Sequence, residues 1–174
     1  MSSLDANSTL TDVAFVVCTA LERAGEHAVL CGGSAATFYV PEKYESRDLD
    51  FVLHFGALTT TVDAALLPLG YVRAPEMLYR HPAARFTVEF PPGPTAIGSE
   101  TVTKHATQHQ GDLVLHVYTP TDVVRDRFMH LLNESCATLR CTIALVAIDS
   151  SSISSPRLLG DGRSDFASRR KQRR

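Results

Sequence analysis

Apolar residues near the start of the chain recur every three or four positions. Leu10, Val13, Ala14, Val17, Leu21 and Ala24 form one stripe with Gly25 just beyond, which predicts an amphipathic helix halted by a glycine. The next segment, His27 to Cys31 (HAVLC), is short, apolar and followed at once by Gly32-Gly33-Ser34, after which Ala35, Ala36, Phe38 and Tyr39 favour a short helix up to Pro41. This unit reads strand, glycine turn, helix, with Ser34 opening the helix. Asp48 to His54 (DLDFVLH) alternates polar and apolar positions, so Leu49 and Phe51 face away from Asp48 and Asp50 on a second strand. Thr60 to Leu67 is helical in pattern and is ended by Pro68-Leu69-Gly70.

From Tyr71 the pattern shifts to short β pieces: Tyr71 to Arg73, Met77 to Arg80, Phe86 to Phe90 and Leu113 to Tyr118. Thr119-Pro120-Thr121-Asp122 then marks a helix start, with a capping hydroxyl, a proline at the first helical position and an acid in the first turn. Val123, Val124, Phe128, Leu131 and Leu132 give that helix a stripe expected to be buried. Cys136 to Ile148 reads as a last helix or, through its β-branched residues, as a strand. The expected architecture is α/β, a small mixed sheet flanked by helices over residues 1–148, followed by a flexible basic tail over 149–174.

A length of 174 residues suits one domain, and 44% hydrophobic against 21% charged residues excludes wholesale disorder, a collagen-like chain or a coiled coil. The apolar runs Val13 to Cys18 and Ile143 to Ile148 are far shorter than a bilayer span, and MSSLDANSTLTD lacks a basic-then-apolar leader pattern. A cytoplasmic protein without membrane contact is the expectation. The four cysteines, Cys18, Cys31, Cys136 and Cys141, show no metal-type spacing and are expected as reduced thiols. The net charge of −2 hides an asymmetry: seven of the 17 basic but only two of the 19 acidic residues lie beyond residue 150, which leaves +5 there and −7 in residues 1–150. The RRKQRR end reads as a solvated tail, or more sharply as a contact for nucleic acid.

The chemistry-bearing signal is the pairing of the Gly32-Gly33-Ser34 turn with Asp48-Leu49-Asp50. Carboxylates two residues apart on a strand share a face, and like charges held close raise each other's pKa unless a cation lies between them. A hard divalent ion such as Mg²⁺, which binds through one or two carboxylates plus substrate phosphate, fits such an oxygen-only pair. A side-chain-free turn at a helix start lets backbone N–H groups approach an anion. Taken singly, each piece has a plainer reading, a solvated strand face or a tight turn. Glu89, on the alternating strand RFTVE ahead of Phe90-Pro91-Pro92-Gly93-Pro94, is a candidate third acid that could bridge a metal or accept a proton from an attacking hydroxyl, or an ordinary edge-strand acid. Arg47 could meet a triphosphate or pair with Glu45; Arg80 and Arg85 are similar candidates. Tyr39 stacks or packs, and Cys31 is expected to be buried. His27, His54, His105, His109 and His116 are scattered and read as structural or surface residues. No G-x-S-x-G elbow supports a serine nucleophile.

CGGSAATFY followed by RDLDFVL resembles the signature of the DNA-polymerase-β-type nucleotidyltransferase superfamily. RFTVEFPPGP and YTPTDVVRDRF are similar to segments of small bacterial nucleotidyltransferase-like proteins related to the minimal nucleotidyltransferases and to abortive-infection toxins. The resemblance covers roughly residues 10–132; beyond the DR-F helix the chain departs from the family pattern. It implies a nucleotidyltransferase fold and transfer of a nucleoside monophosphate from an NTP, ATP among the candidates, to a protein or tRNA hydroxyl. It assigns nucleotide binding to Gly32, Gly33, Ser34 and Arg47, and catalysis and metal (Mg²⁺ or Mn²⁺) to Asp48, Asp50 and Glu89. Asp122, Asp126 and Arg127 match a family segment that either orients the site or caps and braces the helix. A toxin–antitoxin or phage-defence setting with a cognate partner is implied, and the alternative is a noncatalytic protein of the same fold acting as antitoxin or scaffold.

Overall fold

The computed structural model describes residues 4–53 and 59–133. Helix α1 (Leu10–Arg23) starts where the sequence supplies a capping box: Asp12 N–H donates to Thr9 Oγ1 at 3.2 Å and Thr9 N–H donates to Asp12 Oδ2 at 2.9 Å. It stops because Gly25 takes φ +85 and Glu26 N–H turns back to the Leu21 carbonyl. Strand β1 (Ala28–Cys31) runs directly into α2 (Gly32–Tyr39), and β2 (Asp48–Leu53) and α3 (Thr59–Leu66) follow. Then come β3 (Val72–Ala74), β4 (Leu78–Arg80), β5 (Thr87–Glu89), β6 (Ala96–Ile97), β7 (Glu100–Thr101), β8 (Ala106–Gln110), β9 (Leu113–Val117) and α4 (Pro120–Asn133).

Seven strands form one mixed sheet in the order β3-β4-β5-β2-β1-β9-β8, while β6 and β7 pair separately. β1 is antiparallel to β2 and parallel to β9, and β2 is parallel to β5. Helices α1 and α2 both pack on β1, which leaves all four of its residues buried. The core joins Val13, Val17 and Leu21 of α1 to Leu30, Leu49, Phe51, Val88, Leu115 and Val117 of the sheet. In register, Cys31 stands opposite Asp50 and Asp50 opposite Glu89, so these three residues form one row across three strands on one face. Leu49 and Phe51 occupy the other face and are fully buried.

The mixed α/β architecture agrees with the sequence reading, with two differences. β8, whose ATQHQ sequence carries no alternation, is an edge strand held by the two-residue turn Gly111-Asp112, with Gly111 at φ +59. The expected apolar stripe of α4 is not the face it buries. Val123 is buried, but Phe128 is 53% and Leu132 77% exposed, because α4 packs on α2 and β6 and the face turned that way also carries Asp126, Arg127 and His130. Among the described residues, no helix is long and apolar enough to cross a membrane. Cys18 and Cys31 are buried free thiols. Cys136, Cys141, the segment 136–148 and the basic tail lie outside the described residues.

Leu30→Ala, in the central strand, is expected to cost about 2–5 kcal/mol in chemical denaturation, whereas Leu132→Ala is expected to change stability by less than about 0.5 kcal/mol. Equal losses for the two variants would contradict the packing of α4 described above.

Candidate active site

The turn between β1 and α2 works because two residues have no side chain. Gly32 adopts φ +64, and a Cβ there would stand 2.4 Å from Asp50 Oδ2. A Cβ on Gly33 would lie 2.9 Å from the Tyr44 hydroxyl and 3.1 Å from Ser46 Oγ. Any other residue at position 32 would push the carboxylate away and strain the backbone as well. α2 has no acidic residue in its first turn and its N-cap, Cys31, makes no side-chain cap bond. The uncapped amide end of the helix, with its partial positive charge, therefore abuts the carboxylates of β2.

Polar bonds fix β2 against this turn. Asp50 N–H donates to Ser34 Oγ at 3.1 Å, and Ser34 Oγ donates to the Cys31 carbonyl at 2.7 Å. Ser46 Oγ donates to Asp48 Oδ1 at 2.8 Å, Ser46 N–H donates to Thr37 Oγ1 at 2.8 Å, and Thr37 Oγ1 donates to the Gly33 carbonyl at 3.1 Å. Asp48 and Asp50 thus have their approach set by the same helix that presents its amides.

An open cavity of about 500 Å³ lies here, bounded by Gly32, Gly33, Asp48, Asp50, Asp126 and Arg127, with Pro91 and Pro92 on a further wall. The Asp50 carboxyl is pushed up to about 6, first by burial and next by the charges of Asp48 and Glu89; Arg127 opposes this shift and Asp126 adds to it. Arg127 is held by its neighbour, Nη2 and Nε donating to Asp126 Oδ2 at 2.6 and 3.0 Å.

Of the residues singled out in the sequence, Gly32, Gly33, Asp48 and Asp50 bound the cavity. Glu89 is not part of that boundary, but it is the register partner of Asp50 and its charge bears on the Asp50 carboxyl. Ser34 is fully buried, and α2 begins at Gly32, two residues before the position expected to open it. The Ser34 hydroxyl is engaged with backbone, so its place is that of a brace between α2 and β2. Arg47 is exposed and outside the cavity boundary, and Glu45 pairs with Arg85, whose guanidinium also sits 4.7 Å over the Phe86 ring. Arg80 is exposed on β4. The Tyr39 hydroxyl donates to the Tyr118 carbonyl at 2.9 Å, a packing role. Burial and the Asp50 charge hold the Cys31 thiol far above its ordinary range.

Ser46 was unread in the sequence, although its position two residues before Asp48 puts it on the same side of the extended chain. The α4 segment divides its roles. Asp122 caps, bonded to the Thr119 hydroxyl at 2.6 Å, while Asp126 and Arg127 reach the cavity. Their spacing of three and four residues from the buried Val123 is the signal for that placement. His27, His105 and His116, read as scattered, meet at the opposite end of β1, and His54 lies outside the described residues.

No protein-family model and no curated protein sequence matches the chain. Solved structures do. An antigenic nucleotidyltransferase-like protein from Paracoccidioides brasiliensis superposes with a TM-score of 0.59 at 15% identity, covering 83% of this chain and 78% of that one. The antibiotic-resistance factor ANT(2'')-Ia superposes with a TM-score of 0.50 at 12% identity, covering 83% and 88% of the two chains. At such identities the likeness shows the fold, and the fold is that of the nucleotidyltransferases.

A carboxyl whose pKa is raised by folding weakens the folded state as pH climbs past the unfolded value near 4 and through about 6, because the folded form must then hold a charge it disfavours. Asp50→Asn is therefore expected to be more stable than the parent by about 1–3 kcal/mol at pH 8 in chelator, with the gap closing as pH falls to about 4. Urea unfolding at the two pH values measures this; a less stable variant at pH 8 would contradict the crowding of the acids.

Proposed function

We propose that the chain is a divalent-metal-dependent nucleotidyltransferase that moves a nucleoside monophosphate from an NTP to an acceptor hydroxyl. The observation that carries this reading is the row Asp50–Glu89, with Asp48 beside it, set against the uncapped start of α2. Three carboxylates crowded in one place repel, and a hard cation is the group that relieves them. Asp48 and Asp50 would hold Mg²⁺, or Mn²⁺ in its place. The ion supplies charge neutralisation for the triphosphate and a template for in-line displacement.

The protein groups act around it. The backbone amides of the Gly32-Gly33 turn face the phosphates, and the Arg127 guanidinium, held by Asp126, lines the same cavity. The acceptor oxygen bonds to the α-phosphorus, the bond from that phosphorus to the bridging oxygen of the β-phosphate breaks, and pyrophosphate leaves. Glu89, beside Asp50 in the row, would complete the metal site or take the acceptor's proton. The acceptor assigned is a protein or RNA hydroxyl and the setting a toxin–antitoxin or phage-defence system, both supported by the resemblance of RFTVEFPPGP and YTPTDVVRDRF.

Transfer of label from α-labelled NTPs, assayed over proteins and RNA with Mg²⁺, tests this reading. Asp48→Asn and Asp50→Asn are each expected to lower the rate by at least about 100-fold, and Gly32→Ala, which displaces the Asp50 carboxylate, by a comparable factor. Full Mg²⁺-dependent transfer by Asp50→Asn would overturn the mechanism. Calorimetric binding of Mg²⁺ and NTP with no transfer to any acceptor would favour the noncatalytic alternative.

A further inference from the structure

At the other end of β1 from the phosphate-facing turn, three histidines from distant parts of the chain come together. His27 immediately precedes β1, His105 immediately precedes β8 and His116 lies on β9. One ring nitrogen of each lies within 4.8 Å of the others. β1 rises about 13 Å between His27 and Cys31, so this cluster is separate from the carboxylates.

The bonding of the rings decides what they can do. Glu22 Oε2 lies 3.3 Å from His27 Nδ1. A carboxylate only accepts, so His27 Nδ1 donates to it, and the ring turns its Nε2 toward His105. His27 Nε2 stands 3.3 Å from His105 Nε2, close to the edge of a tetrahedron of nitrogens about 2.0–2.1 Å from a zinc ion. On the third ring, Nδ1 is taken by the Thr107 hydroxyl at 3.0 Å. Among the described residues its buried Nε2 makes no hydrogen bond of good geometry, its one charged contact being the Glu22 carboxylate oxygen 3.4 Å away. A carboxylate behind a histidine whose other nitrogen turns inward is the arrangement that orients imidazole toward a metal. Cys18 is not a fourth ligand: its sulfur accepts from His116 N–H at 3.4 Å and donates to the Ala28 carbonyl at 3.7 Å, and burial pushes its thiol up to about 11.

We propose that His27, His105 and His116 form a binding site for a borderline transition-metal dication, Zn²⁺ foremost, with Glu22 orienting His27. Imidazole donors suit such ions, in contrast to the all-carboxylate set at the other end of β1, which suits hard ones. The ion ties the end of α1, the start of β1 and the β8–β9 hairpin, elements that approach only in the folded chain. It therefore stabilises the fold and takes no part in chemistry at the carboxylates.

The test uses the full chain stripped with chelator, in the Asp50→Asn background so that the carboxylates do not compete. Zn²⁺ titration followed by calorimetry is expected to give one ion per chain, and Co²⁺ to give the visible d–d absorption of a tetrahedral site. At free zinc about 100 times its dissociation constant, the melting temperature should rise by about 5–10 °C. His105→Ala, at a partly exposed position, should remove the cobalt spectrum and the thermal shift while retaining the parent's circular dichroism, and His27→Gln should do the same. Absence of zinc binding, or binding and spectrum unchanged in His105→Ala, overturns the proposal. Neither result bears on nucleotidyl transfer.

Discussion

Crowding of like charge on one face of a sheet is the constraint around which this chain is arranged. Asp50 stands between Asp48 on its own strand and Glu89 on the next, partly removed from water. A fold optimised only for stability would not place them so. The start of α2 brings amides with no side-chain cap to the same spot, and on the function proposed above carboxylates and amides together suit a negative ligand carrying a positive ion. Gly32 makes the arrangement sterically possible, since no side chain could share the space taken by Asp50 Oδ2.

The rest of the fold serves to hold that row. β1 is buried at every position and lies between β2 and β9, which gives the turn at its end a rigid base. The parallel pairing of β2 with β5 is what carries Glu89 to Asp50. A register slip of one residue would turn every side chain of β5 to the other face and leave the pair of aspartates alone. Buried hydroxyls complete the support, Ser34 and Thr37 tying β2 and its approach to the first turns of α2.

Much of this was legible in the chain because the signals were local. The apolar stripe from Leu10 to Ala24, the glycines after Cys31 and the alternation of Asp48 to Leu53 each fix an element through neighbouring residues. What stayed hidden depends on partners far away in sequence. Glu89 could be named as an acid on a strand, but its register with Asp50 belongs to the sheet. The edge strand β8 is polar on both sides and carries no period to read. Phe128 and Leu132 looked like a buried stripe because apolar spacing does not say which face of a helix meets its neighbours; α4 turns Asp126 and Arg127 toward the cavity instead. Ser34 illustrates the converse, a residue found by its motif whose hydroxyl faces inward. The meeting of His27, His105 and His116 has no local pattern, being a product of β8–β9 pairing beside the start of β1.

The most direct measurement is a crystal structure of the chain grown with Mg²⁺ and a non-hydrolysable NTP. The account expects one or more ions bonded to Asp48 and Asp50, phosphate oxygens against the Gly32-Gly33 amides and Glu89 turned toward the α-phosphate. A nucleotide bound elsewhere, or phosphates kept away from the turn with the carboxylates free of any ion, would contradict it.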